Sequence, residues 1–138
     1  MPEFVKPKRI LFADDDPDDH YLFLTALKEV DKNIEVVQFY QCDGIVEYLK
    51  ENNLPDILFL DLNMPGNEEL KCLMGIKKNE QFKSIRVIIY TTSHSTDLID
   101  TAYKNGANKY VVKPGSIREL QNMLRDIIEE PDESSTAG

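Results

Sequence analysis

Short apolar runs alternate along the chain with longer amphipathic stretches. Arg9–Ala13 (RILFA) reads as a strand and is followed at once by acids. Pro17–Val30 reads as a helix. Asp16 is placed to cap it, Pro17 suits its first position, and Asp18 and Asp19 favour the positive end of its dipole. Ile34–Phe39 is a second strand and Gly44–Glu51 a second helix. Asp56–Leu60 (DILFL) is a continuous apolar strand that ends at Asp61. Pro65-Gly66 breaks the chain, and Glu68–Lys78 reads as helical. Arg86–Tyr90 (RVIIY) is a fourth strand. Asp97–Asn105 reads as a helix that stops at Gly106, a C-terminal capping signal. Lys109–Val112 is a fifth strand. Ser116 caps a last helix that runs to Glu129, and Pro131 stops it.

This is a βα unit repeated five times. The first, third and fourth strands are apolar without alternation, the mark of parallel strands covered on both faces. The pattern predicts an α/β fold, a three-layer doubly wound (βα)5 sandwich around a parallel five-stranded sheet of order 2-1-3-4-5. With 138 residues there is room for one domain. It is expected over 8–130, after an N-terminal extension (1–7) and before a disordered acidic tail (131–138).

Charge sharpens the picture. Sixteen Lys and Arg against 25 Asp and Glu give a net charge of −9, which disfavours non-specific nucleic-acid binding. The excess is local. Asp14, Asp15, Asp16, Asp18 and Asp19 form one cluster, and Glu129, Glu130, Asp132 and Glu133 another. No apolar run suits a membrane helix, and the N-terminus lacks a signal-peptide core. Cys42 and Cys72 have no metal-ligand spacing. They read as reduced, buried thiols without a function, in a cytoplasmic protein.

Doubly wound folds bind ligands beyond the carboxyl ends of their strands, at the switch point in strand order. Asp14 and Asp15 follow the first strand, Asp61 the third, Thr91 the fourth and Lys113 the fifth. The strand order makes the first and third strands neighbours, which brings Asp14, Asp15 and Asp61 together. Two like charges 4 Å apart cost about 4 kcal/mol at an effective dielectric near 20, so a proton or a cation must relieve the cluster. Hard oxygen ligands without His or Cys suit Mg²⁺. A carboxylate, a Mg²⁺ site, a lysine and a hydroxyl form a plausible phosphoryl-transfer site. Asp16, Asp18 and Asp19 read instead as a helix cap with a solvated face.

Four segments, RILFADDDPDD, DILFLDLNMPG, VIIYTTS and GANKYVVKP, together resemble the receiver domain of two-component response regulators, the CheY-like members of the flavodoxin-like fold. The resemblance covers about residues 8–130. It implies that Asp61 accepts a phosphoryl group from a sensor histidine kinase or a histidine phosphotransfer protein. Asp15 would ligate Mg²⁺ directly, Asp14 largely through water, and Asn63 through its backbone carbonyl. Thr91 would bond the phosphoryl oxygen and Lys113 would pair with the phosphoryl group. Lys113–Pro114 would be a cis peptide. Thr91 and Tyr110 would form the switch that alters the face of the fourth helix, fifth strand and fifth helix for a downstream protein partner. No nucleic acid or membrane partner is implied. The protein would be a phosphoacceptor rather than an enzyme acting on a separate substrate.

Two positions depart from the family pattern. Asn67-Glu68-Glu69 lacks the usual second glycine, so the loop over the site is expected to change shape or carry extra charge. Gly115 replaces a frequent Phe after Lys113-Pro114, removing packing at the start of the last helix. His20 and His94 read as partly exposed residues without a metal role, and Tyr21, Leu24 and Leu27 as core. Two other functions compete. One is a receiver-like binding module that is never phosphorylated, against which the gathered acids argue. The other is a phosphatase of the haloacid-dehalogenase type, with Asp14 of the D-x-D motif as nucleophile, against which stand the short chain and the absence of the later acid pair such enzymes use. A flavodoxin is disfavoured, because acids after the first strand repel a phosphate.

Overall fold

A computed structural model of the chain describes residues 6–130. The expected tail at 131–138 and the first five residues of the expected extension lie outside the described residues. Five strands, β1 (Arg9–Ala13), β2 (Glu35–Phe39), β3 (Ile57–Leu60), β4 (Arg86–Thr91) and β5 (Lys109–Val112), alternate with five helices. These are α1 (Pro17–Val30), α2 (Ile45–Glu51), α3 (Lys71–Lys77), α4 (Thr96–Lys104) and α5 (Ile117–Glu129). The sheet is parallel throughout, in the order β2-β1-β3-β4-β5.

Strand burial explains the sequence pattern. Every residue of β3 and β4, and all but Arg9 of β1, is buried. The edge strands β2 and β5 contain no fully buried residue. Alternate residues of the central strands serve two cores. Leu11, Leu58, Leu60, Val87 and Ile89 pack with Ile45, Leu49, Leu73, Ile76 and Ala102 from α2, α3 and α4. Ile10, Phe12, Phe59, Ile88 and Tyr90 pack with Phe23, Leu27, Leu120, Leu124 and Ile128 from α1 and α5. Each fully buried Leu, Ile or Phe contributes about 1.5–3 kcal/mol relative to exposure.

The phase of α1 differs from expectation. Its buried face is His20, Phe23, Ala26 and Leu27, which follow one another at the i+3 and i+4 intervals of one helix side. Tyr21 lies about 100° off that stripe and is 70% exposed. Leu24 is half-buried, and of the three expected core positions Leu27 alone is buried. His20, expected to be partly exposed, belongs to the core; His94 is exposed.

Two further corrections concern the segment after β3. The expected helix from Glu68 is broken. A 3-10 turn at Glu68–Leu70 precedes α3, and Glu69 (φ 54°) and Leu70 (φ 64°) are left-handed. With Gly absent, side-chain-bearing residues adopt the conformation the loop needs, at about 1–2 kcal/mol each. The second correction is that Cys42 and Cys72 are not free thiols. They form a disulfide, with Cα atoms 5.9 Å apart. Sequence spacing hid this pairing because the fold brings the β2–α2 loop against the start of α3. There Gly66 (φ 89°) packs so closely on Cys42 that no Cβ would fit.

Candidate functional site

The register of the sheet builds the site. Ala13 pairs with Leu60 across β1 and β3, and the Asp61 N–H donates to the Ala13 carbonyl at 3.1 Å. Asp14 and Asp61 are therefore the next residues along neighbouring strands. Asp15 joins them, and the three offer carboxylate oxygens within 4.8 Å of one another. Asp14 and Asp61 are buried, whereas Asp15 is exposed. At the far strands Thr91 pairs with Val112, and the Lys113 N–H donates to the Thr91 carbonyl at 2.7 Å. This places Lys113 just beyond β5, with its side chain reaching back over the acids.

The Lys113 ammonium lies 2.7 Å from Asp19, 2.9 Å from Asp14 and 3.2 Å from Asp61, and 5.7 Å from the Tyr90 ring centroid. Burial opposes its charge. The contacts with Asp19 and Asp14, together with the charges of Asp14 and Asp61, outweigh burial and hold the ammonium above the ordinary lysine range. Burial pushes Asp14 up to about 6, against the opposing pull of Lys113 and the Asp16 N–H, and the charge of Asp61 adds to the rise. Tyr90 is buried among Phe12, Phe23 and Phe59, and burial raises its phenol far above the usual value. It is core, while Tyr103 is exposed.

Local capping fixes the backbone around the acids. Asp16 caps α1 as expected, its side chain accepting from the Asp18 N–H at 2.9 Å. Asp14 accepts from the Asp16 N–H at 2.9 Å and Asp61 from the Asn63 N–H at 3.1 Å. Thr91 is fully buried, and its hydroxyl lies 3.5 Å from the Ser93 N–H. The Tyr110 hydroxyl donates to the Ser93 carbonyl at 2.8 Å. Thr91 and Tyr110 thus meet through the short β4–α4 loop.

Three partners in this region were not legible as such. Asp19, expected on a solvated cap, reaches Lys113; its i+4 spacing from Asp15 was the available signal. Asn67 is buried, donates its amide to the Asp61 carbonyl and accepts from the Cys72 N–H, both at 2.9 Å. His20 is tied to Asp14 on one nitrogen and Gln38 on the other. The expected cis peptide is absent: Lys113–Pro114 is trans, as are all described peptides. A trans X–Pro bond is intrinsically favoured by about 0.5–1 kcal/mol, and Lys113 meets its acids in that form.

Both departures from the family pattern have visible outcomes. The Glu68 carboxylate is held below its usual range by the backbone N–H groups of Glu68 and Gly66, with Lys71 assisting. The Gly115 N–H donates to Glu119 at 3.2 Å. Beside it lies a pocket of 190 Å³ lined by Leu22, Tyr90, Ile117 and Leu120 and edged by Asp19 and Lys113.

Residues 10–125 match the family model described as the response regulator receiver domain. The chain belongs to this family. Response regulator Rcp1 of Synechocystis sp. is 28% identical over 127 residues, with 88% of this chain and 86% of that protein covered. The receiver is also similar to the phosphorylated cyanobacterial phytochrome response regulator RcpA (29% identity, TM-score 0.80, covering 95% of this chain and 96% of that one). The Mn²⁺-bound form of Rcp1 superposes with a TM-score of 0.76 at 28% identity, over 88% of this chain and 91% of that one. The five-stranded parallel order and five helices are those of the receiver fold. Receivers are phosphoacceptor proteins of two-component signalling, and membership of that family disfavours the phosphatase reading of Asp14-Asp15-Asp16.

Proposed function

We propose that Asp61 is the phosphoacceptor of this receiver and that Asp14, Asp15, Asp61 and the Asn63 carbonyl hold a Mg²⁺ ion. The supporting observation is the convergence of Lys113 on Asp14, Asp19 and Asp61 beside the three-carboxylate group. The donor set fits a hard divalent ion. It is all oxygen, and the buried Asp14 Oδ2 meets the Lys113 ammonium at 2.9 Å without a well-directed hydrogen bond. When bound, Mg²⁺ supplies charge neutralisation for the transferring phosphoryl oxygens.

The Asp61 carboxylate attacks the phosphorus of a phosphohistidine, the P–N bond breaks, and its electron pair returns to the imidazole. Burial of Asp61 excludes bulk water from the nucleophile, and the Asn67 amide steadies its backbone carbonyl. Lys113 holds a positive charge where negative charge accumulates. The Thr91 hydroxyl donates to a phosphoryl oxygen. Movement of the β4–α4 loop then reaches Tyr110 through Ser93, changing the face of α4, β5 and α5 for a downstream protein. The phosphodonor is a sensor histidine kinase or histidine phosphotransfer protein. Neither nucleic acid nor membrane takes part. Domain limits of 8–130 fit this reading.

Acetyl phosphate with Mg²⁺ is expected to label the protein, one phosphoryl group per chain by intact mass, and Asp61→Asn to abolish labelling. Undiminished labelling of the variant would refute Asp61 as acceptor. A wild-type protein that never labels would favour the non-phosphorylated binding module.

A further inference from the structure

Asp14 stands where the β1–β2 ladder runs out. Its N–H still donates to the Phe39 carbonyl at 3.0 Å. Phe39 is the last residue of β2, however, and no backbone N–H among the described residues reaches the Asp14 carbonyl. A buried carbonyl in this position needs a donor. His20, one turn into α1, supplies it: Nε2 lies 2.7 Å from the Asp14 oxygen.

The imidazole is itself tightly held. It is 2% exposed, meets Phe12 edge-on at 4.9 Å and stacks under Tyr40 at 4.0 Å. Nδ1 lies 2.9 Å from the Gln38 side-chain oxygen, Oε1, so that both ring nitrogens face oxygens as the Gln38 amide is placed. With Nε2 donating to Asp14, the neutral ring accepts at Nδ1, and the Gln38 amide presents its NH₂ there after a simple flip. Each nitrogen thus has one partner, and β1, β2 and α1 are joined through a single side chain.

We infer that His20 is the positioning residue for the two metal-binding aspartates, an inference that rests on the metal reading of the preceding section. The peptide group is planar, so the Asp14 carbonyl shares a plane with the N–H and Cα of Asp15. Fixing the direction of that carbonyl fixes where Asp15 begins. Asp14 and Asp15 both contribute oxygens to the three-carboxylate group, so one hydrogen bond orients two of its three members. Asp15 is exposed and no strand holds it. Control of its starting plane therefore matters more than at the buried Asp61, which Asn67 fastens from its own carbonyl.

The test is Mn²⁺ binding by the full chain, followed by electron paramagnetic resonance, with thermal melts in EDTA for each variant. His20→Phe keeps the ring between Phe12 and Tyr40 but removes the donor. It should weaken Mn²⁺ binding about tenfold or more, as loss of a ligand-orienting partner typically does. His20→Gln places an amide NH₂ near the former Nε2 and should restore binding to within about threefold of wild type, which a purely space-filling role would not achieve. Unchanged binding in His20→Phe, or equal weakness in His20→Phe and a cooperatively folded His20→Gln, overturns the assignment. If His20→Phe does not melt cooperatively, His20→Asn decides. Its amide reaches toward Gln38 but not Asp14, so weak binding is expected and wild-type binding overturns the inference. Wild-type protein that binds no Mn²⁺, or Asp15→Asn binding as tightly as wild type, overturns the metal site itself and this inference with it.

Discussion

Lys113 shows how one side chain organises a site. Its ammonium is shared among Asp14, Asp19 and Asp61, and with Asp15 present four carboxylates face one resident cation. The deficit falls on Asp14, the acid with no exposure, whose pKa rises to about 6. A raised carboxyl pKa means that the folded state binds the proton more tightly than the unfolded chain. The stability this contributes is fully present below the unfolded value of 3.8 and is lost as pH rises through about 6. In EDTA, urea melts of wild type should therefore lose stability relative to Asp14→Asn between about pH 4 and pH 7. Parallel profiles for the two proteins would remove Asp14 as the source. The acids after β1 and β3, Thr91 and Lys113 were legible because strand ends are fixed by hydrophobic runs. Asp19 and His20 were not, because their roles depend on which side of α1 faces the sheet.

At the scale of elements, the connection from β3 to α3 is the most unusual part of the molecule. Asn67 links the Asp61 carbonyl to the Cys72 N–H, and Cys72 is bonded to Cys42 in the next loop. The Cys42 N–H in turn donates to the Pro65 carbonyl at 2.9 Å. Two left-handed residues, Glu69 and Leu70, are held inside this bracket. The pairing closes a loop with a sequence separation of 30, and chain entropy assigns such a crosslink about 3–4 kcal/mol. Reduction with a strong thiol, or Cys42→Ser, should lower unfolding stability by about that amount. A denaturation midpoint indifferent to reductant would show that the crosslink carries no stability. This bracket escaped the sequence because neither cysteine sits in a motif; their proximity is a product of the sheet order and the close turn at Gly66. The strands and α1, by contrast, were read within a residue or two, since apolar runs and the cap at Asp16 act locally.

Across the whole molecule, the net charge of −9 separates into parts with different meanings. The cluster after β1 combines two metal-ligand candidates, a helix cap and a partner of Lys113, so its mutual repulsion is what a bound cation would relieve. On the proposed reading, ligand linkage would make metal a stabiliser of the entire fold. At a Mg²⁺ concentration of 100 times the dissociation constant the gain is about 2.7 kcal/mol, equivalent to a melting rise of about 8–10 °C in a domain this size. Calorimetry should show that rise in wild type and its loss in Asp15→Asn; an equal rise in both would mean that Mg²⁺ acts elsewhere. The register of the sheet has a broader consequence. Asp14 and Asp61 are separated by the lateral repeat of a parallel ladder, about 4.8 Å, whatever the length of chain that joins them. The loops and helices between the two acids are thus free to vary in length and composition, and to specialise for different partners, while the gauge of the reaction centre stays constant.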